Sequence, residues 1–135
     1  MAGYSGTALV KKLGLKPPIN VLLLGAPAEY PSWLGPVAAG ITFVPSTRRA
    51  IDAAHVFVST RAALQKQLPK LRQQLAPTGF VWVSWPKKSS GVASDVTEDT
   101  IREVALPLGL VDVKVCAVSD VWSGLKLVIR KEQRR

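Results

Sequence analysis

Cysteine is nearly absent from this chain. Cys116 stands alone among 135 residues, so no internal disulfide forms, and a reducing cytoplasm is the expected compartment. His55 is the single histidine, and one cysteine with one histidine excludes a structural zinc site. Gly-x-Gly occurs nowhere, which removes the glycine fingerprint that lets a backbone approach a pyrophosphate. The Lys-Ser pair at 88–89 lacks the preceding glycines of a phosphate loop. No apolar run reaches the length of a membrane span. The opening MAGYSGTALVKKLGLK has no apolar core of a secretory signal, and Ala2 rules out myristoylation. Internal repeats and low-complexity tracts are missing as well.

Acidic residues are scarce: nine stand against eighteen Lys and Arg, a net charge of +9. Part of the excess is the terminus, where Arg130, Lys131, Arg134 and Arg135 crowd together. Without them the chain is still basic, which favours anionic partners, although a basic surface often does no more than keep a protein soluble. Apolar residues make up 47% and charged residues 20%, an ordinary globular balance. The length suits one domain with its own core. The expected division is a single domain over 1–131 and a solvated basic tail over 132–135.

Helix and strand patterns alternate along the chain. TALVKKLG predicts a helix with Thr7 as a cap and Gly14 as its stop. INVLLLG after Pro17 and Pro18 reads as a buried strand. A short helix is expected around 33–39, and ITFV and AHVFVS (54–59) are the second and third strands. Over 61–75, Leu64, Leu68, Leu71 and Leu75 share one helical face, with Pro69 predicting a kink or a split. FVWVSW is the fourth strand. The next helix has Thr97 or Asp95 as cap, Ile101, Val104, Ala105 and Leu108 as its stripe, and Gly109 at its exit. LVDVKVCAVSD and WSGLKLVIRK then form an antiparallel hairpin. The pattern predicts a single α/β domain with a mixed sheet of about six strands that ends in an antiparallel hairpin. Nine residues, 45–53, are short for the crossover between strands two and three, so any helix there has about two turns at most.

In such a sheet, ligands sit beyond the carboxyl ends of the parallel strands, where the strand order reverses. The residues following those ends are Gly25, then Ser46, Arg48 and Arg49, then Thr60 and Arg61, then Lys87, Lys88 and Ser89. Cations and hydroxyls are thus expected to converge on one edge. Thr60 and Arg61 also open a helix, whose amide groups favour an anion. Gly25, Ser46, Arg48, Thr60, Arg61, Lys87, Lys88 and Ser89 are the candidate ligand-binding residues.

Catalytic sets are harder to find. His55 lies early in its strand and reads as a packed or partly exposed residue rather than a general base. Cys116, in mid-strand, reads as buried and inert. Trp82 and Trp85 fall on opposite faces of one strand, so they make no shared stacking platform, and Trp82 is expected in the core. No nucleophile, base and orienting group assemble from spacing alone, and no catalytic or metal-ligating residue is assigned.

The order of elements resembles the class I S-adenosylmethionine-dependent methyltransferases, through NVLLLGAP, HVFVS, GFVWVSWPK and the final hairpin. That resemblance implies a Rossmann-like sheet in the order 2-1-3-4-6-5, with strand 6 antiparallel and helices on both faces, and the cofactor S-adenosylmethionine. The chain departs from the pattern in three places. Only Gly25 remains of the glycine-rich loop, Pro45 and Ser46 replace the acidic residue expected to hold the ribose, and one βα unit is missing. GYSGTALVKKLG, WVSWPKKSSG, TEDTIREVALPLGLVDVKVCAV and WSGLKLV are similar to a family of small bacterial proteins of unknown function with a shortened Rossmann-like sheet. That likeness carries no activity. The expected role is a non-catalytic, methyltransferase-like module with no cofactor, binding a small anionic ligand or a protein partner at the carboxyl edge. The alternatives are a methyltransferase with an altered pocket, and a nucleic-acid binder using Arg48, Arg49, Lys87, Lys88 and the tail, whose affinity would fall steeply with salt.

Overall fold

The computed structural model describes residues 9–134. Its elements are α1 (Leu9–Lys12), β1 (Ile19–Leu24), α2 (Tyr30–Leu34), β2 (Ile41–Val44), β3 (Ile51–Phe57), α3 (Arg61–Gln74), β4 (Leu75–Pro86), α4 (Glu98–Ala105), β5 (Leu110–Ala117) and β6 (Trp122–Ile129). Thr7, expected to cap the first helix, lies outside the described residues. The six strands form one sheet in the order β2-β1-β3-β4-β6-β5. β2, β1, β3 and β4 run parallel, and β6 is antiparallel to both β4 and β5. This is the strand order that the resemblance implied.

Alternating side chains divide the sheet between two cores. Leu22, Ala54, Val56, Val81, Val83 and Trp85 face α3 and α4, where Leu64, Leu68, Leu71, Ile101 and Ala105 meet them. Val21, Ala53, Phe57 and Trp82 face α1 and α2, against Leu9, Leu13, Tyr30 and Leu34. Trp82 and Trp85 therefore do lie on opposite faces, and the Trp82 indole donates to the Leu13 carbonyl at 2.8 Å. Each large apolar side chain fully buried in this way contributes roughly 1.5–3 kcal/mol. No helix among the described residues is long and apolar enough to cross a membrane.

Several local expectations change. α3 runs unbroken through Pro69, because its Leu64, Leu68 and Leu71 stripe is held against the sheet. β4 begins directly at Leu75, taking in Pro77 and Gly79 across a register shift against β3. Such irregularity is where a sheet tolerates those residues. The helix after β1 starts at Tyr30, earlier than expected, and continues as 3-10 turns over Gly35–Gly40. β3 also starts early, at Ile51. Residues 45–50 alone cross from β2 to β3, with no helix and with Ala50 at φ 56°. Gln74, the last residue of α3, holds that crossover by donating to the carbonyls of Ser46 and Arg48, each at 2.7 Å.

Candidate functional site

The strand order reverses between β1 and β3, and the carboxyl ends of β1, β3 and β4 lie side by side there. Gly25 leaves β1 at φ 69°, and a Cβ at that position would stand 2.8 Å from the Phe57 carbonyl oxygen. Only glycine meets both demands, the left-handed backbone and the close approach of two strand ends. Beyond it, Tyr30 turns into the sheet and is fully buried.

Tyr30 begins a hydrogen-bonded chain that spacing alone did not reveal. Its hydroxyl lies 2.9 Å from Nδ1 of His55, whose Nε2 lies 2.7 Å from Oγ of Ser84. His55 and Ser84 are both buried. Burial pushes the His55 pKa down to about 3 and the Tyr30 hydroxyl up, so the imidazole is neutral at ordinary pH. The three groups resemble a nucleophile, base and orienter in connectivity, but Ser84 has no exposed surface to offer a substrate. The chain satisfies polar atoms inside the core. Its only sequence-level signal is phase: His55 and Ser84 occupy positions of β3 and β4 that share a face.

Aromatic rings stand above this chain. Phe57, the last residue of β3, stacks on His55 at 4.4 Å between centroids. Trp122 meets Phe57 edge-on at 5.0 Å, and Trp33 lies 6.4 Å from it. Trp33 and Trp122 are half-buried. Trp122 opens the antiparallel β6 opposite Pro86, which places it at the carboxyl end of β4. Next to it, the Lys87 amide donates to the Val121 carbonyl at 2.7 Å. Gly25, Phe57, Trp33, Trp122 and Lys87 thus form one neighbourhood at the reversal of strand order.

The expected convergence holds only in part. Gly25, Thr60, Arg61, Lys87, Lys88 and Ser89 follow the carboxyl ends of β1, β3 and β4. Ser46 and Arg48 do not join them. Ser46 and Arg49 line a hollow at the end of α3 with Lys70, Gln73 and Gln74. Arg48 lines another with Pro18, Asn20, Thr42 and Asp52 near the amino ends of β1 and β2. The reason is the crossover, which turns straight back along the α3 side instead of leading into a helix.

Thr60 and Arg61 are engaged internally. Thr60 Oγ1 accepts from the Ala63 amide, capping α3. Asp95 Oδ1 accepts from the Arg61 amide at 2.6 Å, and the Arg61 guanidinium pairs with Glu103 at 2.6 Å. The protein's own carboxylate thus occupies the anion-favouring end of that helix. Lys88 diverges from Lys87: it lines a cleft of about 610 Å³ with Trp85, Pro86, Val96, Glu98 and Asp99. Ser89 is exposed in the short turn closed by Gly91, where Ser90 Oγ donates to the Lys87 carbonyl at 2.6 Å. Cys116 is half-buried rather than buried, and partial desolvation pushes its thiol up, against the opposing pull of Lys114 and Lys12. Among the described residues no group of acidic, His and Cys side chains could hold a metal.

Residues 47–131 match the family described as Protein of unknown function (DUF3052). The chain belongs to that family. No curated protein matches the sequence. Among solved structures, a protein from Sulfolobus solfataricus described as a type 11 methyltransferase aligns at TM-score 0.68 and 11% identity, covering 100% of this chain and 97% of that one. A SAM-dependent methyltransferase from Aquifex aeolicus aligns at 0.63 and 13% identity, covering 90% of this chain and 88% of that one. The Burkholderia thailandensis 1,6-didemethyltoxoflavin-N1-methyltransferase, solved with bound S-adenosylhomocysteine, aligns at 0.61 and 16% identity, covering 91% and 75%. At these identities the likeness establishes a methyltransferase-like Rossmann fold in this DUF3052 chain, and the fold alone.

S-adenosylmethionine fits the residues of the DUF3052 chain poorly in the mode that the resemblance implies. Residues 45–50, after β2, carry no carboxylate for a ribose diol. The nearest acid along the chain, Asp52, is tied to Asn20 by reciprocal bonds, accepting at 3.0 Å and donating from its own amide at 2.8 Å. The loop after β1 runs only from Gly25 to Glu29 before α2 begins.

Proposed function

We propose that this DUF3052 protein is a non-catalytic, methyltransferase-like module that binds a small anionic ligand with a planar ring at the carboxyl edge of its sheet. The observation that carries this reading is the half-exposed pair Trp33 and Trp122, set around Phe57 beside Lys87 where the strand order reverses. Aromatic faces stack on a flat ring, at about 1–3 kcal/mol per base in nucleic-acid binders. Lys87, whose backbone amide bonds to the Val121 carbonyl beside Trp122, is the cation assigned to an anionic group in this reading. The missing carboxylate in residues 45–50, after β2, supports binding without methyl transfer.

The second reading is a methyltransferase with an altered pocket, favoured by the bound S-adenosylhomocysteine of one fold relative. Thermal unfolding with AMP, S-adenosylhomocysteine and inorganic phosphate separates the two. A ligand at a hundred times its Kd adds about 2.7 kcal/mol to stability. The binding-module reading expects AMP to raise Tm and the Trp122→Ala, Lys87→Ala variant to lose that shift. A shift with S-adenosylhomocysteine alone selects the second reading, and no shift with AMP contradicts the first.

A further inference from the structure

On the opposite half of the α1 side, Lys16, Lys114 and Lys126 gather, and among the described residues none of them joins an ion pair. Lys114 and Lys126 are directly opposed across β5 and β6. The Lys126 ammonium lies 4.3 Å over the Phe80 ring and next to Gly14, and Lys114 Nζ donates to the Lys12 carbonyl at 3.2 Å. Lys16 follows on the same segment. Lys126 is partly buried, and desolvation together with Lys114 and Lys16 lowers its pKa. Like charges opposed across strands destabilise a sheet, and a partly buried ammonium adds a desolvation cost.

Asp52 bonds to Asn20 and Asp95 to the start of α3, Glu103 pairs with Arg61, and Glu98, Asp99 and Asp112 surround Arg102. The other three acids, Glu29, Asp120 and Glu132, lie before α2, in the β5–β6 turn and after β6. None of Lys16, Lys114 and Lys126 meets a carboxylate in an ion pair. A fold that concentrates its cations this way breaks a local rule of stability, and such breaks mark functional sites.

We propose that Lys16, Lys114 and Lys126 form a binding site for closely spaced phosphates, separate from the carboxyl edge and independent of the reading given for it. Two sources share that chemistry: a free oligophosphate and the backbone of a single-stranded nucleic acid. The test is thermal unfolding at low salt with inorganic triphosphate and with a short single-stranded oligonucleotide. It compares wild type with the Lys114→Gln, Lys126→Met double variant. Without ligand the double variant is expected to melt above wild type, because the repulsion is relieved. With either probe wild type gains stability and the variant does not. A gain with triphosphate alone identifies a free oligophosphate, and a gain with the oligonucleotide alone identifies a backbone. Lys87→Ala, Lys88→Ala leaves the gain intact, which separates this site from the carboxyl edge. In oligonucleotide titrations, Lys16→Gln, at an exposed position, reduces the salt slope of log K by about 0.7. A double variant no more stable than wild type, an undiminished gain, or no gain with either probe overturns the proposal.

Discussion

His55 shows how a single buried side chain adds acid sensitivity to the fold. Its ring is enclosed by Tyr30, Phe57 and Ser84, and burial lowers its pKa to about 3. An unfolded histidine takes up a proton near pH 6.5. Between those values the unfolded chain binds the proton and the folded chain does not, so stability declines as pH falls below about 6.5. Above that pH the residue adds no pH dependence. At about 1.4 kcal/mol per pH unit, urea unfolding should show a loss of about 2 kcal/mol from this group between pH 6.5 and 5. In His55→Asn, this part of the pH dependence should be absent, and an unchanged slope would contradict the assignment. The sequence placed His55 in a strand, but its partners lie 25 and 29 residues away. A partnership made by tertiary packing leaves no mark in local spacing.

At the scale of elements, helix ends were more legible than crossovers. Thr97 caps α4 in a reciprocal box with Thr100, and Gly109 leaves the following turn at φ 78°, as the local residue types imply. The α3 terminus was only half legible. Thr60 caps it as residue type suggests, but the acceptor for the Arg61 amide comes from Asp95, 34 residues on. Removing that acceptor by Asp95→Ala should cost about 1 kcal/mol, in the range of a lost cap and its favourable charge at a helix start. Denaturant unfolding should show a lower midpoint with an unchanged slope. An unaltered midpoint would mean that the Asp95 contact contributes nothing. The short link between β2 and β3 was recognised as anomalous, but its path was not. Six residues without periodicity do not encode a route, and here Gln74 holds it from another element.

Across the whole molecule, periodicity and turn residues sufficed for the strands and the final hairpin, because each buried strand carries its own pattern, whereas the strand order followed from the likeness to the methyltransferases. The site was legible only as an edge. Gly25 and Lys87 followed from topology, whereas Trp33, Phe57 and Trp122 come together only when α2 folds over β3 and β6 returns antiparallel beside β4. Charge is sorted at the same scale: the arginine–carboxylate pairs join α3, α4 and β5, while Lys114 and Lys126 sit across from them on the α1 side. The two proposed sites differ in character, one built on aromatic rings and one on lysines. The most direct test of the aromatic edge is an amide and indole NMR titration of the intact protein with AMP. The account predicts shifts concentrated at Gly25, Lys87 and the indoles of Trp33 and Trp122, with the Trp85 indole unmoved. Shifts confined to Lys114 and Lys126, or none at all, would contradict it.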